Sequence, residues 1–319
     1  MPKIQAIPFR FSVCRDLCRK HARGLFHASA FLPTPKREAV YAIFAFTRMI
    51  REAFGASDDC ATPAASPNGS SCCSTGSADQ TLSLLRERID ELYDRPAPPS
   101  EYDDGPRQVL AAVARAVERY QIPRQYFLDF AEGCRKNLAV SRYATWSALE
   151  KQCRLDGGLM GSILGCVLGL SHSDAGRQLA TLGVAMRLTS ILRDLPADWK
   201  RGRLYLPLQD LARFKVLQSD LAAGAITPGF RELMKFQIAR ARELYRDGAA
   251  GICWLEGDGS RLAASVLAVC HADVLRGIER QGFDVFTSAP KIQTMRCLPM
   301  AWRLARRRVD DPVPKVFGE

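Results

Sequence analysis

Asp194 and Asp198 stand four residues apart in a stretch from Arg187 to Pro207 that reads Arg-Leu-Thr-Ser-Ile-Leu-Arg-Asp-Leu-Pro-Ala-Asp-Trp-Lys-Arg-Gly-Arg-Leu-Tyr-Leu-Pro. On a helix, carboxylates at this spacing project from one face, where both can ligate a Mg2+ that also touches the phosphate oxygens of a substrate. Arg193 flanks the first aspartate, and Lys200, Arg201 and Arg203 follow around Gly202. These cations can reach anionic oxygens that a metal leaves uncovered. The chemistry on offer is capture of a diphosphate. Acidic pairs on helices usually just face water, but here Leu188, Ile191, Leu192 and Leu195 supply an apolar side. That pattern predicts a helix set against a core. Arg187, Ser190, Asp194 and Asp198 share one face of it. Pro196, between the aspartates, lacks a backbone donor and predicts a kink or an end at that point, which makes Asp194 the safer ligand.

The elements that must carry this face are helical. Long segments rich in Ala, Leu, Arg and Glu, without Asn-Gly hairpins or regular alternation, predict an all-α chain forming one domain over residues 1–319. Helical spacing recurs over residues 12–32, 36–50, 81–93, 109–120, 123–142, 149–170, 175–198, 230–249, 260–280 and 295–308. Residues 57–78 change to Ser, Gly, Pro, Ala, Asn and Cys and predict a disordered insertion. The end of the chain around Phe317 reads as a loose tail.

Lys and Arg number 45 against 34 Asp and Glu, a formal net charge of +11 that suits polyanionic partners. The cations are spread along amphipathic helices, with no zinc-finger spacing and no aromatic stacking signature, which argues against nucleic acid. Eleven cysteines with no secretory signal ahead of them read as reduced thiols. The longest charge-free apolar run, Gly157 to Ser171, falls short of the roughly 20 residues a membrane span needs. A cytoplasmic chain is predicted. Arg303, Arg306, Arg307 and Arg308 on the last helix offer it a peripheral contact with anionic lipid.

The 187–207 string resembles the second aspartate-rich motif of the squalene/phytoene synthase family, a form of Asn-Ile-Leu-Arg-Asp-x-x-x-Asp followed by Gly-Arg-x-Tyr-Leu-Pro. Leu32-Pro33-x-x-Lys36-Arg37-x-Ala39-x-Tyr41-Ala42-x-Phe44-Ala45-Phe46-x-Arg48 is similar to the same family, as are Cys153-x-x-x-x-Gly158-x-x-Gly161 and the 278–286 stretch. The resemblance implies an isoprenoid synthase helical bundle around a central cavity, with two acidic motifs facing each other across its mouth. It implies a reaction that joins two prenyl diphosphates, farnesyl or geranylgeranyl, head to head. Mg2+ draws diphosphate away, and apolar walls shield the carbocation from water. On that pattern Asp194 and Asp198 are the catalytic metal ligands, and Arg193, Lys200, Arg201 and Arg203 neutralise phosphate. Arg187 and Tyr205 belong to the substrate site, and Arg48 and Arg51 steady the opposing diphosphate. NADPH use is left open, since some relatives need it without a dinucleotide-binding glycine motif and none is present here.

Several positions depart from the family pattern. Its first Asp-x-x-x-Asp falls on Arg51 and Gly55, with only Glu52 acidic between them. Arg51 cannot ligate Mg2+, but its planar fork can grip a diphosphate directly. Asn137 stands for an acid, Arg187 and Ser190 for Gln and Asn, and Asp156 for an apolar residue. A buried Asp156 needs a partner, for which Arg154 or another nearby cation is the plain answer and a replacement metal ligand the alternative. Gly158 and Gly161 either open room for a prenyl chain or let helices pack closely. Three functions fit these features. They are a divergent prenyltransferase working on the surviving motif, an inactive relative acting as a lipid-diphosphate binder or assembly factor, and a basic binder of nucleic acid or lipid surfaces.

Overall fold

The computed structural model of the chain describes residues 12–55, 75–94, 105–290 and 294–318. Helix α1 (Ser12–His21) is separated from α2 (Arg23–Ser29) at Ala22, whose φ of −139° and ψ of 58° leave the helical region, so the helix expected over 12–32 is two. Helix α3 (Thr34–Ala53) carries a proline in its first turn, where a missing N–H has no partner to lose. Helix α4 (Thr75–Asp94) begins earlier than expected. Residues 75–78 of the predicted insertion are therefore helical, and 57–74 lie outside the described residues. Helices α5 (Gly105–Tyr120), α6 (Arg124–Ala139), α7 (Trp146–Cys153) and α8 (Leu159–Leu168) follow. A π-helical turn over Arg154–Gly158 joins the last two, so the single helix expected over 149–170 is interrupted.

The long helix α9 (Ser173–Lys200) leads through the short α10 (Leu208–Arg213) and α11 (Gln218–Ala222) to α12 (Pro228–Ala249), α13 (Ser260–Arg280) and α14 (Thr294–Ala305). No strand occurs among the described residues, only isolated bridges at Arg142–Leu204 and Leu170–Leu255. Among these helices there is none long and apolar enough to cross a membrane.

Helix α9 is the spine, packed against α8, α12, α13 and the π-turn. Val184, Ala185, Leu188, Ile191, Leu192 and Leu195 are fully or almost fully buried on it. Burial of each large apolar side chain is worth about 1.5–3 kcal/mol, enough together to outweigh the roughly 3 kcal/mol that an interior proline costs. Accordingly the helix does not end at Pro196 but continues to Lys200. It stops at Gly202, whose φ of +74° lets Arg203 N–H bond the Asp198 carbonyl at 2.8 Å and Gly202 N–H bond that of Trp199 at 2.9 Å. These two bonds form a Schellman cap.

The glycines of the 153–161 segment serve close packing. A Cβ on Gly161 would meet the Leu179 carbonyl oxygen at 2.2 Å. The end of the chain is docked, not loose. Phe317 is 2% exposed, stacks on Tyr245 with ring centroids 5.2 Å apart, and offers its carbonyl to Arg242 Nε at 3.1 Å. The eight described cysteines are all free thiols.

Candidate active site

The unbroken α9 keeps Arg187, Ser190, Asp194 and Asp198 on one face. Asp194 is held by its neighbour Arg193, Nε to Oδ1 and Nη2 to Oδ2 both at 2.7 Å, and the pair remains open to solvent. Asp198 is more enclosed, with 15% of its side chain exposed. Burial pushes its carboxyl up to about 6, against the pull of Arg187 and with the help of the Asp194 charge. Arg201 Nη1 lies 3.8 Å from Asp198 Oδ1, and Lys200 is exposed at the helix end.

The Schellman turn brings the next residues back against the segment after α6. Leu204 N–H bonds the Ser141 carbonyl and Leu208 N–H that of Tyr143, both at 2.9 Å, while Arg142 Nη1 donates to the Gly202 carbonyl at 2.6 Å. Tyr143 and Tyr205 stack with centroids 5.8 Å apart. Asn137 links them. Its Nδ2 donates to the Tyr205 hydroxyl at 3.0 Å, and the Tyr143 hydroxyl donates to its Oδ1 at 3.1 Å. Arg203 Nη1 donates to the Tyr205 hydroxyl and to the Asn137 carbonyl, each at 3.2 Å. An amide at position 137 can both donate and accept, which a carboxylate cannot, and this network uses both capacities.

Across from it, Asp156 sits on the π-turn and takes two arginines from distant helices. Arg51 of α3 approaches Oδ1 through Nη2 at 2.5 Å, and Arg187 of α9 approaches Oδ2 through Nε at 2.8 Å. Arg154, the near neighbour in sequence, pairs instead with Glu150 at 2.6 Å. Burial would raise the Asp156 carboxyl, but the two guanidiniums outweigh it and hold it below the usual carboxylate range. Arg51 also lies over the Phe130 ring at 5.0 Å and Arg187 over Tyr205 at 5.2 Å, each near enough for a cation–π contact. Arg187 thereby joins the tyrosine network to the carboxylate. Arg48, one turn before Arg51, is 8% exposed and pairs with Glu52 at 2.7 Å.

His271 of α13 is a site neighbour that the sequence does not single out. Its Nε2 lies 3.1 Å from the Met186 carbonyl and 3.3 Å from Ser190 Oγ. Burial, then the Arg193 charge, pushes its pKa down to about 4. Its only signal in the sequence is a polar side chain among apolar neighbours in an amphipathic helix, a common pattern with no specific meaning.

The geometry therefore sets an acidic helix face, a basic turn and an arginine–aspartate cluster around one region. Residues 18–296 match the family model described as squalene/phytoene synthase. The chain belongs to the squalene/phytoene synthase family. Phytoene synthase of Arthrospira platensis is 30% identical over 313 residues, 93% of each chain. Phytoene synthase of Thermus thermophilus is 30% identical over 266 residues, covering 83% of this chain and 82% of its own. In solved structures the fold is similar to that of a dehydrosqualene synthase in complex with ligand, with a TM-score of 0.77 and 22% identity over 92% of this chain and 94% of that one. Squalene synthase HpnC from Alicyclobacillus acidocaldarius gives a TM-score of 0.70 at 22% identity, over 86% of this chain and 94% of that one. The fold is the all-α isoprenoid synthase fold, as expected. Members of this squalene/phytoene synthase family act on prenyl diphosphates.

Proposed function

We propose that this chain is a prenyltransferase that releases diphosphate from a prenyl diphosphate at the α9 face and passes the prenyl cation to a second prenyl diphosphate. The observation that carries the reading is the intact Asp194–Asp198 pair on unbroken α9, directly followed by a capped basic turn. The substrate class comes from the family. The residues present fit a Mg2+ at that pair, since this ion takes one or two carboxylates and completes its shell with phosphate oxygens and water. Among the described residues no group of three His, Cys, Asp or Glu side chains gathers as a fuller ligand set. Asp194 and Asp198 would hold the ion, which when bound supplies Lewis-acid pull on the departing diphosphate.

The remaining work falls to protein groups. Arg193 and Arg201, beside the two aspartates, neutralise charge that collects on the leaving oxygens. Arg203 and Lys200 extend the same positive rim. The stacked Tyr143 and Tyr205, both buried, brace the turn that carries this rim, and Asn137 fixes both rings.

The test is incubation of the full chain with farnesyl or geranylgeranyl diphosphate, with and without Mg2+, reading diphosphate release and analysing extracts by mass spectrometry. Mg2+-dependent release with a prenyl-coupled product is expected. Absence of release with both substrates, in protein that is folded by circular dichroism, overturns the reading.

A further inference from the structure

Asp156 gives one oxygen to Arg51 and the other to Arg187, bridging two guanidiniums as a phosphate group would. Two cations share the one carboxylate they touch, and Arg187 feels only a further, more distant pull from Asp198. Each arginine commits a single nitrogen to Asp156, and neither makes another hydrogen bond or ion pair with a described residue. None of the remaining nitrogens is sealed from solvent, for 33% of the Arg51 side chain and 26% of Arg187 stay accessible. A guanidinium has five N–H donors in a fixed fork, so most of this donor capacity meets no acceptor among the described residues. Phe130 and Tyr205 meanwhile hold the two planes in place. Such preorganised, spare, like-charged forks match the planar bidentate demand of phosphate oxygens.

We infer that Arg51 and Arg187 form a diphosphate-binding site that works without metal, with Asp156 occupying the forks and yielding part of them when the anion arrives. The choice of a diphosphate as the anion rests on the prenyl-diphosphate reading above. The site replaces metal ligation by fixed cations on the α3 side of the cluster, while metal ligation is confined to α9. Asp156 acts here as a positioning residue. It keeps two repelling guanidiniums together and competes with the ligand for their N–H groups.

Calorimetric titration of the full chain in EDTA tests this, with inorganic pyrophosphate and with farnesyl thiodiphosphate, an analogue that resists ionisation. Both probes are expected to bind without metal and to compete, which assigns them one site. Arg51→Gln and Arg187→Gln should each weaken pyrophosphate binding at least tenfold, and Asp156→Asn should tighten it severalfold by removing the competing carboxylate. No binding in EDTA overturns the site. So does analogue binding that pyrophosphate does not displace and Arg51→Gln does not alter, because the prenyl tail alone then holds it. Circular dichroism checks folding. Where the glutamine variants unfold, Arg51→Lys and Arg187→Lys, which keep charge but lose the fork, must weaken binding. Where these also unfold, Asp156→Asn decides, and unchanged or weaker binding overturns the site. Turnover with Mg2+ is read separately. Turnover without EDTA-resistant binding removes this site but keeps the proposed function, and binding without turnover does the reverse.

Discussion

Gly157 and Gly183 pass so closely that a Cβ on Gly183 would lie 1.9 Å from the Gly157 carbonyl oxygen, and one on Gly157 would lie 2.2 Å from that of Gly183. Nothing larger than hydrogen fits between these backbones. Gly157 follows Asp156 on the π-turn, and Gly183 stands one turn before Arg187 on α9, so this contact sets how near the carboxylate comes to its arginine. Gly183→Ala should cost about 2–3 kcal/mol through overpacking. Thermal melting checks it, and an unchanged Tm would mean that the two segments separate freely.

Asp194→Asn keeps the size and hydrogen-bonding capacity of the side chain but removes its negative charge, and with it most of its affinity for Mg2+. Loss of an electrostatic contact to the leaving group commonly lowers turnover by roughly 10²–10³. Diphosphate release in saturating Mg2+ is expected to fall by at least that range. A rate equal to that of the parent would exclude Asp194 from the chemistry.

Two titrating groups near the site, Asp198 and His271, act on metal-free stability in opposite senses. Asp198 titrates at about 6 in the fold against 3.8 when unperturbed. Its stabilising contribution is therefore present below about 3.8 and is lost as pH rises through about 6. His271 titrates at about 4 against 6.5, so its contribution is present above about 6.5 and is lost as pH falls through about 4. Asp198→Asn should stabilise the chain in EDTA at pH 7.5 by about 2–3 kcal/mol, as an upper figure, and by little near pH 4. Denaturant unfolding at both values reads this. A gain that is equal at the two values would show that Asp198 is not held out of water. His271→Gln should flatten the fall in stability below pH 6.5.

Phe317→Ala should destabilise the chain by about 3–5 kcal/mol, since it empties a buried ring position against Tyr245. The backbone carbonyl that accepts from Arg242 stays in place, so the loss reports packing. Urea unfolding measures it. A change below about 0.5 kcal/mol, the range of ordinary surface substitutions, would return Phe317 to the status of a loose tail.

Local spacing carried the helical class, the Asp194–Asp198 face and the basic turn at Gly202, because each depends on residues within one or two turns of one another. Motifs at Leu32 to Arg48 and Arg187 to Pro207 carried the family for the same reason, as contiguous strings. Partners separated along the chain were not legible. Asp156 demanded a cation, and proximity in sequence suggested Arg154, whereas the fold brings Arg51 and Arg187 from other helices and leaves Arg154 to Glu150. Pro196 predicted a kink or an end from backbone chemistry alone, and burial of α9 against its neighbours carries the helix past it without an end. Phe317 had no periodic context, so only packing against Tyr245 revealed its burial. Covalent order dictates what each short segment offers. Which offers are taken up depends on the free energy of burying them together, and that is a property of the packed chain.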